Sequence, residues 1–257
     1  MMMTSSRSRV ALLAAISVAF ALTGRSTSSS SAAAGPFVIG GLLGVTGAAS
    51  QYALSMNRGI EISLAQVNAA GGINGRQVVF RNEDTANEKT QAVALYRKHA
   101  ADGDVLAIIG PNASPETLAV LAISDQVGVP FVSPGASAIV DPKDDKPWSF
   151  RVNAPTPTII SMTVPALKSL NMTKVALISA SDDDFSVQGV RVFKEQAKAH
   201  GITIVKEETY LRNTVDLSAQ LTNIKAVGNQ VNAVVAVSLV DVLGRMVKRA
   251  SELGLKT

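Results

Sequence analysis

Ser114-Pro115-Glu116 follows an apolar run, Val105 to Ile109, and a Gly110-Pro111 break. Serine followed by proline starts helices, with serine as the N-cap and proline at the first helical position. A helix start also favours an anion, because unpaired amides and the aligned peptide dipoles point at it. Ser114 therefore reads either as a plain cap or as the group that holds the polar end of a small molecule. The next loop, Ser133-Pro134-Gly135-Ala136-Ser137, follows a second apolar run, Val129 to Val132. Gly135 permits close backbone approach and Ser137 supplies a hydroxyl. Both are also ordinary turn residues. Asp182, Asp183 and Asp184 precede a helical pattern. Such a run can pair an ammonium, or it can be a solvated start favoured by the helix dipole.

Patterns for bond-making chemistry are thin. The chain has no cysteine, which removes thiol nucleophiles, disulfides and thiolate metal sites. Its two histidines, His99 and His200, each stand at the end of a helical stretch, without a partner at metal-binding spacing. No GxSxG elbow is present. The loop GGLLGVTG is rich in glycine, but it has neither the GxGxxG order nor the lysine of a phosphate loop. Neither catalysis nor a cofactor is expected. The net charge of +4 is scattered, with no basic stripe interleaved with aromatics, so no nucleic-acid partner is expected.

The elements that must position these residues alternate between strand and helix. Phe37 to Ile39 is a strand. Ala53, Met56, Ile60, Leu64 and Val67 follow at helical spacing. Gly71-Gly72 ends that helix, Asn74-Gly75 turns the chain, and Gln77 to Arg81 returns as a strand. Thr85-x-x-Glu88 has the form of a capping box for a helix to Ala101. Two more strands end at Gly110 and at Ser133. All three strand ends should lie on one edge of a parallel sheet, where open α/β sheets bind ligands. Pro142 to Asn153, charged and with the only tryptophan, reads as a crossover into a second lobe. There a helix from Thr156 to Leu170 is expected. Strands at Lys174–Ser179, Ile202–Val205 and Ala233–Val237 alternate with further helices, one capped by Asp216 and the last ending at Gly254. Alternation throughout means parallel sheets with helices on both faces.

Several ordered pieces resemble one family. They are LLGVTG, NAAGGINGR, NEDTAN, IGPNASPET, GVPFVSPGAS, DLSAQLTNIKA and ASELGLKT, spread over Pro36 to Thr257. The chain resembles the leucine/isoleucine/valine-type solute-binding proteins of ABC importers. The resemblance implies the type I periplasmic-binding-protein fold: two Rossmann-like α/β lobes joined by a hinge. It divides the chain into 1–34, a leader and tether, 35–150, a first lobe, and 151–257, a second lobe. It implies a small amino acid or related carboxylate or amide as solute, permease subunits as partners, and a monomer when complete. A sensor of the same solutes, acting through a signalling partner, is the alternative. It puts Ser114, Gly135, Ala136 and Ser137 against the solute from the first lobe. Phe185 and Leu239 match positions that often carry tyrosine in amino-acid binders, and here both lack the hydroxyl.

The resemblance also implies more chain than this. A further strand with an acidic solute contact, a return to the first lobe and two more hinge crossings are expected after Thr257. A chain ending there is expected to leave a sheet edge unpaired, to expose apolar surface, to aggregate and to be silent in ligand screens.

The N-terminus carries Arg7 and Arg9, then an apolar run from Val10 to Leu22. That run is shorter than the roughly 20 residues a bilayer crossing needs. Serines and Ala32-Ala33-Ala34 follow, as in a secretory signal and its cleavage site. Leu22-Thr23-Gly24 begins a lipoprotein motif, but Arg25 stands where the lipidated cysteine would be. Export without a lipid anchor, to the periplasm or beyond, is expected. N-terminal sequencing of the exported protein should begin at Gly35. An intact Met1 on soluble protein retained in the cytoplasm would sink this reading.

Overall fold

The computed structural model of the protein describes residues 35–136 and 146–255. The expected leader and Ser137 lie outside those residues. In the first lobe β1 (Phe37–Gly41), α1 (Ser50–Ala69) and β2 (Val78–Asn82) form the opening unit. Then come α2 (Lys89–Ala101), β3 (Val105–Ile109), α3 (Ser114–Val127), β4 (Phe131–Ser133) and β5 (Ser149–Arg151). The second lobe runs α4 (Thr156–Ser161), α5 (Thr163–Ser169), β6 (Lys174–Ala180), α6 (Asp184–Ala199), β7 (Thr203–Tyr210), α7 (Ser218–Ala226), β8 (Ala233–Val237) and α8 (Val240–Glu252). The first sheet has the order β2-β1-β3-β4-β5 and the second β7-β6-β8. Every pairing is parallel, so strand ends collect on one edge of each sheet.

β6 shows how sequence becomes layers. Its residues from Val175 to Ala180 are all buried, as a central parallel strand requires. Alternate side chains leave opposite faces. Val175 and Leu177 join Ile160, Val164, Leu167 and Phe193 under α4, α5 and α6. Ala176 and Ile178 join Leu217, Leu221, Ile224 and Met246 under α7 and α8. The first sheet is covered less evenly. Val38, Val105, Ile108 and Phe131 pack under α2 and α3 with Leu95, Tyr96, Val120 and Leu121. α1 buries only Ala53 fully, and Met56, Ile60 and Leu64 stay half-buried. Leu106, on an interior strand, remains 51% exposed, and so does Phe150 on β5, at 52%.

Four local expectations change. Glu88 is the residue before α2, but no side chain caps that helix. Thr85 spends its hydroxyl on Glu116 instead of on a capping box. The helix expected from Thr156 to Leu170 is two, parted at Met162. Pro165 explains the break, because it has no N–H for the Ser161 carbonyl. The expected crossover contains a strand: Ser149–Arg151 pairs with β4 along Phe131–Ser133. Finally, Ala113 caps α3, so Ser114 is its first residue and Pro115 its second. The cap shifts by one because the Ala113 backbone is extended and its carbonyl already accepts from Thr117.

Two glycines separate backbone freedom from packing. Gly72 has φ +75°, and a Cβ there would run into the Arg76 carbonyl. Gly59 lies exposed within α1, with nothing near its missing Cβ. Gly72→Ala should therefore lower the thermal midpoint. Gly59→Ala should raise stability by about 0.5–1 kcal/mol, or a midpoint gain of roughly 1–4 °C. Melting curves of the two variants should move in opposite directions.

Candidate functional site

In the glycine-spaced loop after β1, several amides are held by side chains. The Leu43 amide donates to Asn82 Oδ1 (2.9 Å) and the Gly44 amide to Asn112 Oδ1 (2.8 Å). The Thr46 amide donates to Asp84 Oδ1 (3.3 Å) and its hydroxyl to Asp84 Oδ2 (2.7 Å). The Ala49 amide donates to Asn87 Oδ1 (2.8 Å). Side chains from the neighbouring strand ends thus hold the loop. Gly44 is close to Asn87: a Cβ there would press on that residue's backbone and amide group. His99 lies beneath the strand, 2% exposed, with Nε2 3.2 Å from the Gly41 carbonyl oxygen.

Glu116, in the first turn of α3, anchors this network. It is fully buried, accepts from the Thr85 hydroxyl, and accepts from Asn87 Nδ2 at 3.1 Å. Burial pushes its carboxyl above the usual carboxylate value. The Thr85 and Asn87 hydrogen bonds and the charge of Arg212 offset only part of that. In the loop after β4, Gly135 lies against Thr117, whose hydroxyl a Cβ would strike. Its amide donates to the Ser133 hydroxyl at 2.9 Å. The glycine admits Thr117 closely, and Gly135 does not line the cavity described next.

In the second lobe Asp183 caps α6, accepting from the Ser186 amide and hydroxyl, both at 2.8 Å. It is 1% exposed, not solvated as its acidic run suggested. Burial pushes its carboxyl up, against the pull of the Ser186 bonds. Asp182 instead accepts from the Arg212 amide at 2.6 Å. The Tyr210 hydroxyl donates to the Ser238 hydroxyl.

Several polar contacts cross from lobe to lobe, among them the Thr156 amide (2.6 Å) and hydroxyl (2.7 Å) donating to the Ala136 carbonyl. Arg212 donates to the Asn87 carbonyl (3.0 Å) and to Glu88 (3.3 Å). Lys89 pairs with Asp184 at 3.4 Å. Asp241 Oδ2 accepts from the Ser50 hydroxyl (3.1 Å) and the Gln51 amide (3.2 Å). α1 has no side-chain cap of its own, so a carboxylate from the other lobe caps it.

Between the lobes lies a cavity of about 270 Å³. The first lobe lines it with Tyr52, Asn112, Ser114 and Ala136, among others, and the second with Phe185, Ser238, Leu239 and Asp241. Ser114, Ala136, Phe185 and Leu239, four of the residues singled out from sequence, therefore meet at one cavity. Tyr52, Asn112, Ser238 and Asp241 were not foreseen. Asp241 carried a usable signal: like Ser114, it stands in the first turn of a helix that follows a strand. Tyr52 carried none, because its place depends on how α1 meets the second lobe. Among the described residues no group of three or more His, Cys, Asp or Glu is placed to hold a metal ion.

A family of periplasmic binding proteins matches residues 36–257. The Leu/Ile/Val-binding protein homolog 8 of Brucella abortus (strain 2308) is 28% identical over 201 residues, 75% of this chain and 49% of the relative. The chain thus spans about half the length of that relative. The isoleucine complex of the branched-chain amino acid transporter substrate-binding protein LivJ from Streptococcus pneumoniae superposes with a TM-score of 0.76. It is 26% identical, over 86% of this chain and 62% of that one. A solute-binding protein of an ABC transporter from Rhodopseudomonas palustris BisB5, in complex with 3,4-dihydroxybenzoic acid, also gives 0.76. It is 19% identical, over 86% of this chain and 59% of that one, and shares the fold alone.

Glu116 gives the site a pH signature. Its folded pKa lies above its unfolded value, so its contribution to stability is full below the unfolded value of about 4.3 and is lost as pH rises through the folded one. Glu116→Gln keeps the shape and cannot ionise. Melting curves from about pH 4 to 7 should show the variant gaining on the wild type as pH rises. A constant difference between them would show that the carboxyl does not titrate there.

Proposed function

Because the chain belongs to the periplasmic-binding-protein family over residues 36–257, we propose that it captures a small solute in the cleft between its lobes and delivers it to an ABC permease outside the cytoplasm. The observation that carries this reading is the cavity: both lobes wall it, and a helix start from the first lobe opens on it at Ser114. About 270 Å³ suits a small molecule. Most of the lining is apolar, with Phe185, Leu239 and Ile159 on the second-lobe side. The first turn of α3 offers a hydroxyl and a positive dipole end, a fit for a carboxylate or amide oxygen. The solute class is then a small carboxylate or amide with an apolar body, such as a branched-chain amino acid. Phe185 and Leu239, which lack hydroxyls, fit the apolar body rather than its polar end. Among the described residues no helix is long and apolar enough to cross a membrane. Export by the N-terminal leader belongs to the same reading.

Thermal shift of the 257-residue protein with a panel of amino acids, short amides and small carboxylates tests it. A ligand at a hundred times its dissociation constant adds roughly 2.7 kcal/mol, or about 5–10 °C for a domain of this size. At least one panel member should raise the midpoint. Ser114→Ala should weaken that solute by roughly ten- to a hundredfold, the effect of losing a hydrogen bond to a charged group. If every panel member leaves the midpoint unmoved, the reading fails for this chain and the sequence expectation of a silent chain stands.

A further inference from the structure

Arg212 stands in the loop after β7 and reaches the first lobe, with its side chain only 13% exposed. Its own lobe fixes where it points. Asp182 Oδ1 accepts from the Arg212 amide at 2.6 Å, and Asp182 Oδ2 lies 3.8 Å from Nε. The far side of the guanidinium crosses the gap: Nη1 donates to the Asn87 carbonyl at 3.0 Å and Nη2 to Glu88 at 3.3 Å. A guanidinium carries its donors in a rigid planar fork, so holding it from one side aims it on the other. The turn it meets is a costly one. Ala86 and Asn87 both have left-handed backbone, with φ +51° and +58°. Residues other than glycine adopt that region at a cost and stay there only where their surroundings hold them. Asn87 is buried, and its side chain looks both ways: Oδ1 accepts from the Ala49 amide at 2.8 Å and Nδ2 donates to Glu116 at 3.1 Å. Both bonds need the direction that this backbone gives the side chain.

We infer that Arg212 is a positioning residue: by holding the Asn87 carbonyl from the second lobe, it keeps the Ala86–Asn87 turn in place, and with it the Ala49 part of the first-lobe wall. Ala49 lines the cavity and leads straight into α1. Neither Asn87 nor Arg212 is among the described residues that line it. The line of contacts thus runs from a second-lobe loop, through a left-handed turn, to the cavity wall, and it bypasses the cavity itself. Arg212 sets the shape of that wall without touching what the cavity holds. The inference concerns the protein alone and goes beyond the solute-binding reading without resting on it.

Amide hydrogen exchange of the 257-residue protein, read residue by residue by NMR with no solute added, tests this. Arg212→Ala should speed exchange of the Ala49 amide by about tenfold or more, the scale of one hydrogen bond from a charged donor. The β6 amides from Val175 to Ser179 should keep their rates, because core strands open only with the lobe as a whole. A role confined to the second lobe gives another pattern: faster exchange from Leu211 to Thr214, with Ala49 unmoved. That pattern would overturn the inference. So would equal acceleration at Ala49 and throughout β6, which is a loss of overall stability and not of position. If Arg212→Ala gives no cooperative melt, Arg212→Lys decides in its place. Lysine keeps the charge and loses the fork, so Ala49 should still exchange about threefold faster or more, and an unchanged rate would overturn the inference. No solute enters the measurement. A negative result therefore leaves the solute-binding reading standing, and a chain silent toward every solute leaves a positive result standing.

Discussion

A carboxylate buried at the start of α3 constrains the whole first lobe. Glu116 is fully buried, so its oxygens depend on partners within the protein. The Thr85 hydroxyl and Asn87 Nδ2 meet it, and both come from the loop after β2. Asn87 then has its Oδ1 left for the Ala49 amide and its carbonyl for Arg212 of the second lobe. Asn112 repeats the device, holding the Gly44 amide and the Ala49 carbonyl. Three strand-end loops are thereby tied to one another by side chains, in a region where loops ordinarily move. A half-satisfied version of this network would be worse than an apolar core, because each orphaned group keeps its full desolvation cost.

This arrangement changes the meaning of the glycines. Gly44 and Gly135 look like openings through which a ligand could approach the backbone. Both are filled by the protein itself, Gly44 by Asn87 and Gly135 by Thr117. The groups that remain directed to the cavity are side chains and the helix start at Ala113 and Ser114. The first lobe therefore presents a wall tied down by its own side chains, and the second lobe faces it with Phe185, Leu239 and Asp241.

Much of this was legible in the chain. The strands Val105–Ile109 and Ala233–Val237 stand as read, because short apolar runs bounded by turn residues leave little choice. Gly128, Gly201 and Gly254 end helices with positive φ, as helix-ending glycines do. Ser114 was found because a strand, a break and a proline mark its position locally. What failed was what depends on partners far along the chain. β5 hides in a charged stretch and is a strand only because β4 lies beside it. Thr85 looks like a cap until Glu116, 31 residues on, claims its hydroxyl. Asp241 meets Ser50 across 191 residues, and no periodicity carries that information. Even so, the rule that singled out Ser114 would have found it, had it been applied to the helix after β8.

The chemistry of the contacts differs between the lobes and the gap. Each lobe is held by apolar clusters, whereas Arg212 to Glu88, Lys89 to Asp184 and Asp241 to Ser50 and Gln51 are ionic or polar. Dissolved ions screen exposed charge pairs over about 8 Å at physiological ionic strength, and they leave apolar burial untouched or strengthen it. The surroundings thus act on the gap and on the lobes through separate channels. In a dilute medium the charge pairs across the gap are at their strongest. In a concentrated one the apolar clusters persist, but the exposed charge pairs across the gap weaken. The polar contacts across the gap therefore depend on ionic strength in a way that the two lobe interiors do not.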